Sequence, residues 1–191
     1  MISALLLAAG ESRRMIDFKQ LLTFRGKTFV ECSADNLLAS RAGEVIVVTG
    51  YREADVRNAL SGRPVRFAHN PDFRSGMSSS IKRGVRAISD GARGMLVALV
   101  DQPQIGTDIF DMVIDFYERT RPLVVVPSYG GKNGHPVVID LSLKDEILEM
   151  DPSQGLREVV RAHADRLLRI EVLSDAVITD FDYPEDYRRM K

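Results

Sequence analysis

Apolar positions along this chain alternate between two patterns. Short, β-rich runs occupy 3–8, 44–49, 65–69, 95–100, 123–126, 137–139 and 167–172. Several are about five continuous apolar residues with no polar alternation, the signature of strands covered on both faces. Between them, helical spacing of apolar residues runs over 29–39, 53–60, 79–88, 107–119, 143–150 and 156–163. Thr107 and Asp108 suit the start of the fourth helix, and Pro184 with Glu185 and Asp186 reads as the first turn of a C-terminal one. The alternation predicts an α/β fold in which helices sandwich a largely parallel sheet in three layers. A chain of 191 residues, 45% of them hydrophobic, suits one well-buried domain, so a single domain over 1–191 is expected. The glycine-dense segment 128–136 reads as a loop or hairpin entering the next strand.

Charge narrows the partners. Lys plus Arg (26) nearly balance Asp plus Glu (27), and a net charge of -1 gives no general attraction to nucleic acid or anionic lipid. Affinity for phosphate must therefore be local. The sequence has no apolar run near the roughly eighteen residues of a membrane span, and its N-terminus lacks the pattern of a signal peptide. A soluble, cytoplasmic protein without nucleic-acid or membrane partners is expected. A single cysteine, Cys32, excludes an internal disulfide and reads as a packing residue of the first helix. His69, His135 and His163 stand far apart, without metal-ligand spacing.

Ligands of open α/β sheets bind at the carboxyl ends of strands, so the residues just after each apolar run carry the chemistry. The first run, Leu5-Leu6-Leu7-Ala8, empties into Ala9-Gly10-Glu11-Ser12-Arg13-Arg14, with Lys19 shortly after. Small residues let backbone N–H groups approach phosphate oxygens, while Arg13 or Arg14 and Lys19 neutralise a polyphosphate. Neither the P-loop pattern nor G-x-G-x-x-G is present. A second place is 70–80, where Gly76, Ser78, Ser79 and Ser80 open a helix; the serines either cap it or read a base edge or ribose. Asp101, directly after the fourth run, either caps the next turn or holds Mg2+ between phosphate oxygens. Asp180 and Asp182 share a side if their segment is extended, offering a carboxylate pair to the same cation; otherwise they begin an acidic helix.

The opening segment resembles the signature L-A-[AG]-G-x-S-x-R-M-G-x-x-K of nucleotidyltransferases, and within them the MobA-like group that attaches a nucleotide to molybdopterin. Leu7, Ala8, Ala9, Gly10, Ser12, Arg14, Met15 and Lys19 carry the match. Ile16 departs from it, standing where the family has glycine; if that glycine takes positive φ, a β-branched residue costs roughly 1 to 3 kcal/mol or forces another loop path. Gly76, Ser78 and Ser80 match a G-x-S-x-S element, Asp101-Gln102-Pro103 the family's metal-binding D-Q-P, and 180–187 its D-[IV]-D-T-P-E-D-[LY], with Tyr183 in place of Thr. Gly134-His135-Pro136 occupies the place of the G-x-P element beside the acceptor, and Gly155 with Arg157 is similar to a loosened D-x-G-x-R.

The resemblance implies a Rossmann-like, three-layer α/β/α nucleotidyltransferase fold. It implies nucleotide binding by Leu7, Ala8, Ala9, Gly10, Ser12, Arg13, Arg14, Lys19, Gly76, Ser78 and Ser80, catalysis by Arg14, Lys19 and Asp101, and Mg2+ on Asp101 and Asp182. Within the group L-A-A-G goes with cytidine and L-A-G-G with guanosine, so CTP is the expected nucleotide, the Ala9 methyl narrowing the base pocket. The acceptor would be molybdenum-bearing molybdopterin, and the product would pass to a molybdenum hydroxylase or its chaperone from a monomer or weak oligomer. Two alternatives stand beside this: transfer to a sugar or polyol phosphate, and a non-catalytic nucleotide-binding maturation factor with a damaged loop, to which Ile16 points.

Overall fold

A computed structural model describes residues 1–15, 17–152 and 155–190. Ile16 lies outside the described residues. In chain order the strands are β1 (Ile2–Leu7), β2 (Thr23–Phe24), β3 (Lys27–Thr28), β4 (Glu44–Thr49), β5 (Arg66–His69), β6 (Gly94–Leu99), β7 (Val124–Tyr129), β8 (Lys132–Asn133), β9 (Val137–Asp140) and β10 (Leu167–Glu171). The helices are α1 (Phe29–Leu38), α2 (Glu53–Ala59), α3 (Met77–Ala87), α4 (Thr107–Thr120), α5 (Lys144–Glu149), α6 (Leu156–Ala162) and α7 (Pro184–Met190). The main sheet runs β10-β7-β9-β6-β1-β4-β5, with β8 paired on β7; β2 and β3 form a separate small hairpin.

Strand β1 shows why the runs are continuous. Ala4, Leu6 and Ala8 pack with residues of α1, α2 and α4, while Leu5 and Leu7 pack with residues of α3, α5 and α6. Successive side chains of a strand leave on opposite faces, so a strand covered twice has no solvent side to make polar. Each fully buried Leu, Ile or Val adds roughly 1.5 to 3 kcal/mol, and the two clusters together make the α/β/α sandwich. Local signals agree: Thr28 and Glu31 form a reciprocal capping box at the start of α1. No described helix is long and apolar enough to cross a membrane.

The sheet is mostly parallel rather than wholly so. Strand β9 runs antiparallel to both neighbours, β6 and β7. Gly130 and Gly131, with φ of 55° and 76°, make the two-residue turn between Tyr129 and Lys132 that reverses the chain after β7. Two successive positive φ values favour glycine at both positions. The reversal brings the amino end of β9 to the carboxyl end of β6. Val137 pairs with Val97, and two residues further along each strand come His135 and Leu99, just before Asp101.

Candidate active site

A cleft of about 410 Å3 opens at the carboxyl ends of β1 and β6. Its first wall is the loop after β1, contributing Ala9, Gly10, Glu11, Ser12, Arg13 and Arg14. Gln20, buried at the end of that loop, sets its path: Nε2 donates to the carbonyls of Ala8 (3.1 Å) and Gly10 (2.8 Å), and Oε1 accepts from Ser12 Oγ (3.0 Å). Ser12 sits at φ 57° and its Oγ accepts from the Lys19 backbone N–H (3.1 Å). The loop is thereby held at both ends by the protein's own groups. Sequence reasoning missed Gln20; the available signal was a polar residue embedded between Lys19 and the apolar pair Leu21-Leu22.

Charged groups from three distant segments meet in the cleft. Lys19 Nζ lies 3.0 Å from Asp101 Oδ2 and 2.6 Å from Asp182 Oδ1, and Arg14 Nη1 lies 2.8 Å from Asp182 Oδ2. Asp101 Oδ1 is buried and has no hydrogen-bond partner. The second wall is the start of α3, where Gly76, at φ 98°, precedes Met77; Gly76, Met77 and Ser80 all face the cleft. Asn70 Nδ2 donates to Ser79 Oγ (2.9 Å) and Ser80 Oγ (3.0 Å), fixing this turn. Phe73 and Arg74 complete the rim, with Glu11 paired to both Arg13 and Arg74 so that the two loops are tied together.

Not every expected residue reaches the cleft. Leu7, Ala9, Gly10, Ser12, Arg13, Arg14, Lys19, Gly76, Ser80, Asp101 and Asp182 line it. Ala8 is buried behind them and contributes only its carbonyl, to Gln20. Ser78 turns the other way and donates to the Pro152 carbonyl (3.1 Å). Asp180 and Asp182 take different partners. Asp182 meets Lys19 and Arg14, whereas Asp180 accepts from Gln102 Nε2 (2.8 Å). Burial pushes the Asp180 carboxyl above the usual range, and the charges of Asp101 and Asp182 push the same way.

The segment before Asp182 is fastened to the ends of β6 and β9, in part by Gln104, which no motif announced. Gln104 Nε2 donates to the carbonyls of Thr179 (2.7 Å) and Ala176 (3.1 Å), and the Phe181 N–H to the Asp101 carbonyl (3.0 Å). His135 donates its backbone N–H to the Val177 carbonyl (2.9 Å); burial lowers the pKa of its imidazole, against the raising effect of Asp101. Arg157 is exposed, and neither it nor Gly155 lines the cleft. Cys32 Sγ donates to the Phe24 carbonyl, and burial raises its thiol pKa, so it is not poised as a nucleophile.

Asp101 and Asp182 are the pair that can hold a divalent cation. Both offer hard carboxylate oxygens to one cleft, and the orphaned Asp101 Oδ1 is an acceptor left open. Among the described residues no group of three or more His, Cys, Asp or Glu gathers as a ready-made cage. Two carboxylates completed by substrate phosphates are the usual arrangement for Mg2+, so the residues present fit such an ion.

Residues 4–167 match the MobA-like NTP transferase domain. The chain belongs to that family. It is an enzyme, a nucleotidyltransferase of the MobA type. Among curated relatives, the molybdenum cofactor cytidylyltransferase of Escherichia coli K12 is 25% identical over 187 residues, covering 97% of this chain and 93% of the relative. Nicotine blue oxidoreductase of Paenarthrobacter nicotinovorans is 29% identical over 198 residues, covering 99% and 96%. Among solved structures, Rv0371c of Mycobacterium tuberculosis superposes with a TM-score of 0.89 at 24% identity, covering 99% of this chain and 96% of that one. Rv0371c has also been solved in complex with manganese, with a TM-score of 0.82 at 23% identity. The Asp180–Asp182 segment lies beyond the span that the family model matches.

Proposed function

We propose that this MobA-like enzyme transfers CMP from CTP to the phosphate of a molybdopterin-type acceptor and releases pyrophosphate. The observation that carries the reading is the meeting of Arg14 and Lys19 with Asp101 and Asp182 at the mouth of a small-residue loop. Cations there suit a polyphosphate, and the carboxylates suit the cation that accompanies it. Likeness along nearly the whole chain to a molybdenum cofactor cytidylyltransferase supports the acceptor.

The reaction needs positioning more than proton transfer. An acceptor phosphate oxygen attacks the α-phosphorus; a P–O bond forms to it while the bond to the pyrophosphate bridging oxygen breaks, the electron pair leaving with pyrophosphate. The nucleophile is already an anion, so no general base is required. Backbone N–H groups of the Ala9–Ser12 loop and the first turn of α3 orient the phosphates, and Arg14 and Lys19 neutralise charge on the leaving group. Mg2+ held by Asp101 and Asp182 would supply further charge neutralisation on the phosphate oxygens. Ala9 is buried at the cleft floor, where its methyl favours a pyrimidine over a purine. The product would be the cytosine dinucleotide form of the cofactor, destined for a molybdenum hydroxylase or its chaperone.

A pyrophosphate-release assay with each of CTP, GTP, ATP and UTP, with and without molybdenum cofactor, tests the reading. Release with CTP and cofactor together is expected, with CTP raising the thermal midpoint more than GTP does. Larger shifts and turnover with GTP would overturn the cytidine assignment. Release driven instead by a sugar or polyol phosphate would overturn the acceptor. The relative named as an oxidoreductase supplies the sharpest contrary outcome, which is redox turnover with no pyrophosphate from any pair.

A further inference from the structure

Lys19 occupies the position between two carboxylates that a bound cation would otherwise take. Its ammonium lies 2.6 Å from Asp182 and 3.0 Å from Asp101, and its side chain is only 10% exposed. The backbone leaves it little freedom, because its N–H donates to Ser12 Oγ and its neighbour Gln20 is bonded to Ala8, Gly10 and Ser12. Arg14 covers the other oxygen of Asp182. Within the cleft the two acidic charges are thus met by two basic charges of the same chain. A divalent cation arriving alone would displace Lys19 from both partners and leave a largely buried ammonium without an anion, which is strongly unfavourable. A cation arriving with a polyphosphate brings the replacement anion for Lys19 and Arg14.

We propose that Lys19 is an internal counterion that makes divalent-cation binding conditional on a polyphosphate, so that the cleft selects the cation–triphosphate chelate over the free cation. The inference rests on the reading of Asp101 and Asp182 as the cation's ligands and adds to it a specificity role for Lys19. Coupling of this kind is reciprocal: the cation strengthens triphosphate binding by the same factor as triphosphate strengthens cation binding. Lys19 acts as a switch between two anions without any large movement of the fold.

The test is titration of the protein with Mn2+, followed by the electron paramagnetic resonance of the free ion, with and without CTP and with no acceptor present. Wild type is expected to bind Mn2+ at least about tenfold more tightly with CTP than without, a coupling of ~1.4 kcal/mol or more. Lys19→Met should bind Mn2+ alone at least about tenfold more tightly than wild type does and gain at most about threefold from CTP. Lys19→Gln should behave as Lys19→Met, and Lys19→Arg as wild type. Adding Asp182→Asn to Lys19→Met should abolish the gain. Equal Mn2+ affinity in wild type with and without CTP overturns the inference whatever the variants do. So does Mn2+ affinity in Lys19→Met no higher than in wild type, or a gain that survives Asp182→Asn. None of these titrations measures transfer, so a failed acceptor assignment leaves them interpretable, and a failed counterion role leaves the transfer assay standing.

Discussion

Gly50, the residue after β4, backs Ala9 and Phe73 in the wall of the cleft, and Gly50→Ala is the smallest change that would test whether a nucleotide binds against them. A Cβ there would stand 2.8 Å from the Ala9 carbonyl oxygen, 2.8 Å from Phe73 Cβ and 2.9 Å from Ala9 Cβ. Ordinary contact begins at 3.4 Å, so these atoms must retreat by about 0.6 Å, and none of them is the far end of a flexible side chain. The Ala9 carbonyl is also held by the Tyr51 N–H at 3.1 Å, so its movement strains that bond as well. Overpacking of this kind costs roughly 1 to 3 kcal/mol, less the few tenths to 1 kcal/mol that a stiffer unfolded chain returns. For a chain of this size each kcal/mol moves the thermal midpoint by about 2 to 4 °C. Ala9 and Phe73 both line the cleft, so the displacement reaches the ligand. CTP affinity should fall at least about tenfold, ~1.4 kcal/mol. Thermal unfolding gives the first quantity and calorimetric titration with CTP and a divalent cation the second. A lowered midpoint with CTP affinity within threefold of wild type would refute the placement of the nucleotide against Ala9 and Phe73.

Two further outcomes follow from the same geometry. Asp101→Asn should leave the fold intact, since Lys19 keeps Asp182, and should lower turnover by about a hundredfold or more, ~2.7 kcal/mol; Asp182→Asn should also be damaging and Asp180→Asn less so. Turnover of Asp101→Asn within about tenfold of wild type would remove Asp101 from the cation site. Away from the cleft, a guanidinium bond from Arg63 (2.6 Å), helped by Lys27, holds the Asp35 carboxyl below its ordinary range, and bonds from Thr28 hold Glu31 low. Carboxylates depressed in the folded state add stability above their unfolded values near 4, and that stability is lost as pH falls through the depressed values. Arg63→Leu should therefore lower the midpoint at pH 6 and flatten its decline toward pH 2.5; an unchanged acid limb would exclude Asp35 as a contributor.

Sequence periodicity succeeded where one pattern had one physical cause. The run 3–8 is continuous because β1 is covered on both faces, and the helical segments end within a residue or two of their observed limits because their apolar faces stop there. Spacing misled where the chain's local conformation was not the one assumed. Ser78 and Ser80 stand two apart, and on a helix such residues point some 200° from one another, so both cannot face one ligand. Met77 and Ser80, three apart, both line the cleft. Asp180 and Asp182 flank Phe181, which is buried against Phe29 at 5.5 Å between ring centroids, and each acid finds its own partner. Gln20, Gln102 and Gln104 left no periodic trace, because an amide that braces a loop acts on backbone atoms brought near only by the fold.

The reversed strand explains how Asp182 comes to stand beside Asp101, 81 positions earlier in the numbering. In a wholly parallel sheet the carboxyl edge receives only loops that follow strands. With β9 inverted, the segment that precedes it, Gly134 to Pro136, joins the same edge next to β6. Both β6 and β9 then offer groups to the incoming C-terminal segment: His135 N–H and Gln102 Nε2 to the Val177 carbonyl, Gln104 to Thr179, and the Asp101 carbonyl to the Phe181 N–H. Gly134 completes the seat, since a Cβ there would fall 2.2 Å from the Val177 carbonyl oxygen. Val177, Thr179, Asp180 and Phe181 are in this way fastened across two strand ends before the chain reaches Asp182. The carboxylate is therefore placed by the ends of β6 and β9 together with α7, whose Asp186 accepts from the Asp182 N–H (3.2 Å), and the turn at Gly130-Gly131, which does not line the cleft, is one of the conditions for the charged cluster to form.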